Sequence, residues 1–217
     1  MSLEVILELA LALAAFLLAV VFHEYAHGRV AYALGDPTAR DARRLTLNPL
    51  AHIDPFGTVL LPLGLAFVRF ALGVAVPILG YAKPVPVNPI YFRHPYQGMM
   101  LVAIAGPAIN LILAGLGTAL WYGVGGDLLP ELLKLFLFYL VVINVILAVF
   151  NLIPVPPLDG SRVLLYLLPA GGKRVLLLLE PFGFVIIFLL LYAGVLQSLL
   201  LPIVSWVETM LLGGRFG

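Results

Sequence analysis

His23-Glu24-Tyr25-Ala26-His27 places two imidazoles four residues apart with a glutamate beside the first. On an α-helix, residues i and i+4 share one face, so both rings can converge on one metal ion. Glu24 then stands next to the ion, where it can take a proton from a water held there. Zinc suits such a site, because it accepts nitrogen and oxygen ligands and lowers the pKa of its water to about 7. Two histidines leave the ion short of a third protein ligand. The sequence has no cysteine, which excludes thiolate ligands and disulfides alike. The candidates for the third position are His52, Asp54, His94 and Asp159. Asp159 closes the proline-rich run Asn151-Leu152-Ile153-Pro154-Val155-Pro156-Pro157-Leu158-Asp159 and precedes Gly160. Taken alone, an Asp-Gly pair makes a turn; paired with HExxH, it is the strongest candidate ligand.

The elements that carry these residues follow from composition. Of 217 residues, 63% are hydrophobic and 11% charged, and the mean hydropathy is +1.12. Soluble domains average roughly 45–50% apolar and about 25% charged residues. Polar side chains are too few here to cover a water-facing surface, which excludes a soluble globular domain and a disordered chain. A net charge of +1 excludes a broad basic face for nucleic acid. The expected fold class is an all-α polytopic membrane protein.

A bilayer core takes roughly 20 apolar helical residues. Four segments meet that length: about Leu3–Val21 (the helix continuing to about Leu34), Gly98–Val124, Leu132–Ile153 and Val175–Leu196. A shorter fifth, Leu196–Leu212, contains Pro202 and Glu208. The first segment lacks a basic leader and a small-residue cleavage site, so it is expected to be a retained span. Phe56–Tyr81 is apolar but carries Pro62, Arg69 and Pro77.

Basic residues set the orientation. Arg40, Arg43 and Arg44 follow the first span, Lys83 and Arg93 precede the second, and Arg162, Lys173 and Arg174 follow the third; these are eight of the twelve Lys and Arg. Placing all eight on the cytoplasmic side requires Phe56–Tyr81 to leave and return on one face, with Arg69 at the far tip. About five to six membrane segments result, one of them a hairpin or re-entrant segment. The same topology puts Asp159 on the side of His23 and His27. The charge count and a shared metal site thus favour one arrangement independently.

HEYAH on a membrane helix, with a distant Leu158-Asp159-Gly160 preceded by Asn151-x-x-Pro154, resembles the site-2 protease family of intramembrane zinc metalloproteases. Further similar segments are His52-Ile53-Asp54-Pro55-Phe56-Gly57, Gly80-Tyr81-Ala82-Lys83-Pro84-Val85-Pro86-Val87-Asn88-Pro89 and Ala105-Gly106-Pro107-Ala108-Ile109-Asn110. Similarity runs from about Phe22 to Leu164. The resemblance implies that His23, His27 and Asp159 bind one zinc ion and that Glu24 is the general base. It implies that Asn151 helps to place substrate or to stabilise the tetrahedral intermediate. It further implies a membrane-embedded β-hairpin near the site, for which Val74–Val87 is the candidate. The substrate class implied is a membrane protein cut within or near a transmembrane segment, at the cell membrane, with the site towards the cytoplasm. No PDZ-like insertion or CBS pair is present, so the chain resembles the compact branch of the family. One membrane-embedded domain, 1–217, is expected, with a catalytic core of about 3–168 and C-terminal helices at about 174–212.

The remaining polar residues divide between two roles. His52 and Asp54 could line the entry or support a ligating histidine at its other nitrogen; against this stands a loop held by Asp54 before Pro55, and the two weigh evenly. Asn110 could touch an unwound substrate, although helix packing is the commoner role of such a residue. Asn144 is assigned to structure, His94 to the interface and Glu180 to a kink before Pro181. The competing function is a metal or solute transporter with a His/Asp ion path. It predicts inverted repeats with paired broken helices, and no second half of the sequence matches the first. A metalloprotease whose third ligand is a nearby downstream Glu is disfavoured, since the next Glu after Glu24 is Glu131.

Overall fold

The computed structural model describes residues 2–61, 63–65, 67, 81–125 and 128–212. The helices are α1 (Leu3–Ala33), α2 (Thr38–Asp41), α3 (Pro95–Gly123), α4 (Glu131–Leu152), α5 (Asp159–Leu167), α6 (Ala170–Leu179), α7 (Gly183–Tyr192) and α8 (Val195–Leu212). Among the described residues, four helical stretches are long and apolar enough to cross a membrane: α1, α3, α4 and the run Ala170–Tyr192. The protein is therefore an integral, multi-pass, all-α membrane protein.

Helix ends follow the local chemistry. Ser2 opens α1, its hydroxyl accepting from Val5 N at 3.4 Å. Pro95 occupies the first turn of α3, where its missing N–H costs nothing. Pro154 stops α4, because the residue before a proline is pushed out of helical geometry. The expected span Val175–Leu196 falls largely on the run Ala170–Tyr192, which is long and apolar enough to cross a membrane but is interrupted near its middle. Glu180–Phe182 forms a tight turn between α6 and α7, centred on Pro181, and Glu180 pairs there with Arg162.

The three central helices pack antiparallel in sequence. His27 meets Val102 and His23 meets Asn110 across α1 and α3. Asn110 meets Asn144 across α3 and α4. The C-terminal end of α1, the N-terminal end of α3 and the C-terminal end of α4 therefore lie on one side. Close approach is possible because Ala15, Ala19 and Ala31 are the fully buried positions of α1. Farther from that side, Trp121, Leu137 and Val141 of α3 and α4 pack with Val207 and Leu211 of α8. The Lys173 ammonium lies 4.2 Å from the centre of the Tyr96 ring, which sets the start of α6 beside the start of α3.

The apolar stretch after α2 begins and ends at one place. Pro55–Leu60 forms a single wide helical turn. Tyr81 N donates to Gly57 O at 3.0 Å, and Thr58 Oγ1 donates to Tyr81 O at 2.9 Å. Arg69, the expected tip, lies outside the described residues, as do residues 74–80 of the expected β-hairpin. Residues 81–88 form neither helix nor strand; Asn88 is extended, and Pro84, Pro86 and Pro89 favour extended backbone at the residue before each. No β-strand occurs among the described residues.

One contact sets the spacing of α3 and α4. A Cβ at Gly117 would stand 2.9 Å from Val141 Cγ2, whereas one at Gly115 would meet nothing within 4 Å. Gly117→Leu should destabilise the protein by about 1–3 kcal/mol through overpacking. Thermal unfolding in detergent should show the loss, with Gly115→Leu at or above the wild-type midpoint.

Candidate metal centre

His23 and His27 stand one turn apart on the buried face of α1. Their Nε2 atoms are 2.9 Å apart, and the ring planes are nearly perpendicular. Asp159, the first residue of α5, brings Oδ2 to 3.2 Å from His23 Nε2 and 3.3 Å from His27 Nε2. The three ligand atoms all lie within 4.8 Å of one another, so the cluster can hold a metal ion.

Proton placement shows what the cluster is built for. His23 Nδ1 is 2.6 Å from Asn110 Oδ1, and His27 Nδ1 is 2.7 Å from the Val102 carbonyl. Both partners are carbonyl oxygens, which only accept, so both Nδ1 atoms carry hydrogen. Each neutral ring then turns an Nε2 lone pair towards the other and towards Asp159. Asp159 Oδ2 is buried and has no hydrogen-bond partner of good geometry among the described residues. A proton shared with one nitrogen would satisfy a single pair. A cation among the three satisfies all of them. Two imidazole nitrogens and a carboxylate oxygen are a zinc-type donor set, with each His held at its other nitrogen.

The backbone around the cluster admits little variation. A Cβ at Gly106 would stand 2.5 Å from His23 Cε1 and from His27 Nε2, so only glycine lets α3 pass against the Nε2 edges of the imidazoles. A Cβ at Gly160 would run into the Leu152 carbonyl, so glycine there lets α5 start against the end of α4. Between them the proline-rich chain closes on itself. Val155 N bonds Ile153 O at 2.8 Å, and Leu158 N bonds Val155 O at 2.9 Å. The Arg162–Glu180 ion pair ties α5 to the turn after α6.

Glu24 is half-buried, and its Oε2 accepts from Val85 N at 2.7 Å. Pro84 and Pro86 have no N–H, so Val85 is the single donor of that tripeptide, and it is directed at Glu24. The rest of the segment is held from the side. Lys83 N donates to His52 O at 2.9 Å, Arg44 Nη2 donates to Lys83 O at 2.7 Å, and Asn88 N donates to Asp36 Oδ2 at 2.6 Å. Asp36, which is fully buried, and Arg44 were not singled out for this role by the sequence. The available signal was Asp36-Pro37-Thr38, a turn sequence in which the aspartate accepts from Thr38 N at 2.9 Å.

The structure brings His23, His27 and Asp159 together and sets Glu24 beside them. It places the other candidates elsewhere. His52 is buried, its Nε2 2.9 Å from Thr46 O, in the loop that grips residues 81–83. Asp54 Oδ1 accepts from Phe56 N and Gly57 N at 3.0 and 2.7 Å and caps the following turn. Asn151 sits in the last turn of α4, half-buried, with Nδ2 donating to Leu147 O at 2.9 Å. Asn110 is fully buried behind His23. Asn144, assigned to structure, proves to be its partner on α4 at 2.7 Å.

A bundle of apolar helices thus gathers the two histidines of HExxH and a distant aspartate around one point, in a cluster able to hold a metal ion. The model of peptidase family M50 matches residues 119–193 of the chain. It is 42% identical over 148 residues to YwhC of Bacillus subtilis, an alignment covering 65% of this chain and 62% of that protein. It is 32% identical over 161 residues to Rip2 of Mycolicibacterium smegmatis, covering 71% of this chain and 56% of the relative. Against Rip2 of Mycobacterium tuberculosis the identity is 30% over 164 residues, covering 70% and 55%. All three relatives carry zinc metalloprotease names. The chain spans a little over half the length of these relatives. No solved structure matches it.

Gly106→Ala should push the two imidazoles apart and weaken Zn2+ binding by roughly 10–100-fold, the usual cost of disturbing a ligand's support. Competition against a chromophoric chelator measures this directly.

Proposed function

We propose that the chain is an intramembrane zinc metalloendopeptidase of the site-2 protease type. It hydrolyses a peptide bond within or near a transmembrane segment of a membrane protein. The observation that carries this is the convergence of His23 Nε2, His27 Nε2 and Asp159 Oδ2 on one point, with Glu24 one residue from a ligand. Held by these three side chains, a zinc ion supplies Lewis acidity and a water of lowered pKa.

The chain's own residues do the rest. Glu24 accepts the proton of the attacking water and passes it to the leaving amine. Its bond from Val85 N holds the carboxylate in place for that transfer. A helical substrate shields its peptide bonds with its own hydrogen bonds, so it must unwind before attack. The segment 81–88, pinned beside Glu24, is the edge on which the unwound stretch is laid. His52 and Asp54 serve by gripping that segment through their loop, and Asn151, at the end of α4, helps to place the substrate. The substrate arrives laterally from the bilayer.

The eight clustered basic residues orient the centre towards the cytoplasm, at the cell membrane. The meeting of Gly57 and Tyr81 supports a re-entrant path for the segment between them, giving five to six membrane segments in all. The chain acts as one domain, 1–217, its catalytic core at about 3–168 and its last helices at about 174–212.

Glu24→Gln should keep the ion and lose cleavage of a model transmembrane substrate by roughly 10²–10⁴-fold, the share of a general base. Asp159→Ala should lose both. Elemental analysis of purified protein, with cleavage in proteoliposomes, distinguishes them; wild-type cutting by the Glu24→Gln variant would contradict the role given to Glu24.

A further inference from the structure

We infer that Asn110 and Asn144 are positioning residues for the metal centre: a relay across three helices fixes His23 in the tautomer that turns its Nε2 lone pair towards Asp159. The inference rests on the metal-centre assignment above and extends it to two amides that touch neither ion nor substrate.

The direction of the relay is set at its far end. Asn144 Nδ2 donates to the Leu140 carbonyl at 2.7 Å, which turns Asn144 Oδ1 towards α3. Asn110 Nδ2 donates to that oxygen at 2.7 Å and to the Ala19 carbonyl at 3.1 Å. Both N–H groups of Asn110 are then used, and its Oδ1 is left facing His23 Nδ1 at 2.6 Å. An acceptor there requires Nδ1–H, and in the neutral ring Nδ1–H leaves Nε2 bare. Asn110 and Asn144 are both fully buried. If the Asn110 amide flipped, two N–H groups would face His23, and its proton would move to Nε2, the metal-facing nitrogen.

Buried asparagines also join membrane helices without any further role, and that role would add stability in any orientation. Two features argue for more. Every donor in the relay points away from His23, ending on a backbone carbonyl. His27 reaches the same tautomer by a different route, through the Val102 carbonyl, which no side-chain substitution removes. The two histidines of one motif thus have separate supports, one of them mutable.

The test is the affinity of the full-length protein for Zn2+ alone, by competition with a chromophoric chelator in detergent. Asn110→Leu, which keeps the volume and removes the acceptor, should weaken binding by roughly 10–100-fold. Asn144→Leu, which leaves the Ala19 carbonyl alone to oppose a flip of the Asn110 amide, should weaken it less but measurably. Because both act through one hydrogen bond, the double variant should bind no more weakly than Asn110→Leu alone. Asn110→Asp, which still accepts from Nδ1–H, should bind within a few-fold of wild type. Thermal unfolding of the metal-free variants identifies any that fail to fold; the folded Asn144→Leu and Asn110→Asp variants then decide the matter. Wild-type affinity in a folded Asn110→Leu or Asn144→Leu variant, additive losses in the double variant, or a loss in Asn110→Asp equal to that in Asn110→Leu would overturn the inference. Failure of the wild-type protein itself to bind Zn2+ would overturn the metal-centre assignment instead.

Discussion

Two imidazole nitrogens 2.9 Å apart, both with lone pairs turned inward and both facing one carboxylate oxygen, repel each other until a cation sits among them. Placing polar groups at the level of a bilayer is costly in itself. Facing acceptors against acceptors adds to that cost, and the surrounding bundle carries it. Three alanines let α1 lie close to its neighbours, Gly106 lets α3 pass against the Nε2 edges of the rings, and Gly160 lets α5 begin against α4. These small residues share one consequence. They allow backbones from four helices to approach a single point that belongs to none of them.

The second constraint is lipid. Irregular backbone at membrane depth must find its hydrogen bonds within the protein. The segment 81–88 does so with few donors, because prolines remove two of them, while side chains or loop carbonyls take those of Tyr81, Lys83, Val85 and Asn88. Glu24 is one of those side chains. The proposed general base therefore also pins the edge on which a substrate would be laid, so the placement of edge and base cannot drift apart. Asp36 and Arg44 hold the same segment from the other side of the loop. Residues far apart in sequence thereby behave as one rigid wall beside the metal centre.

Much of this was legible in the sequence, for definable reasons. Metal ligation restricts residue type and spacing so tightly that the clustering of His23, His27 and Asp159 could be expected although the last two lie 132 positions apart. Span ends were legible because prolines stop helices, so the expected Gly98–Val124 differs from α3 by three residues at its start and one at its end. Three things were not. An amide inside an apolar helix can face any neighbour, so Asn110 and Asn144 did not declare their partnership. An aspartate before proline caps a turn as readily as it contacts a ligand, which left Asp54 undecided. The bond between Glu24 and Val85 joins residues 61 apart through a backbone N–H, and backbone donors leave no mark in composition.

The central claim is that one ion is held between α1 and the start of α5. Anomalous scattering at the zinc edge from crystals of the purified protein tests it most directly. The account predicts one peak per chain, within bonding distance of His23 Nε2, His27 Nε2 and an Asp159 oxygen. A peak that excludes Asp159, or zinc bound only elsewhere on the chain, would contradict it.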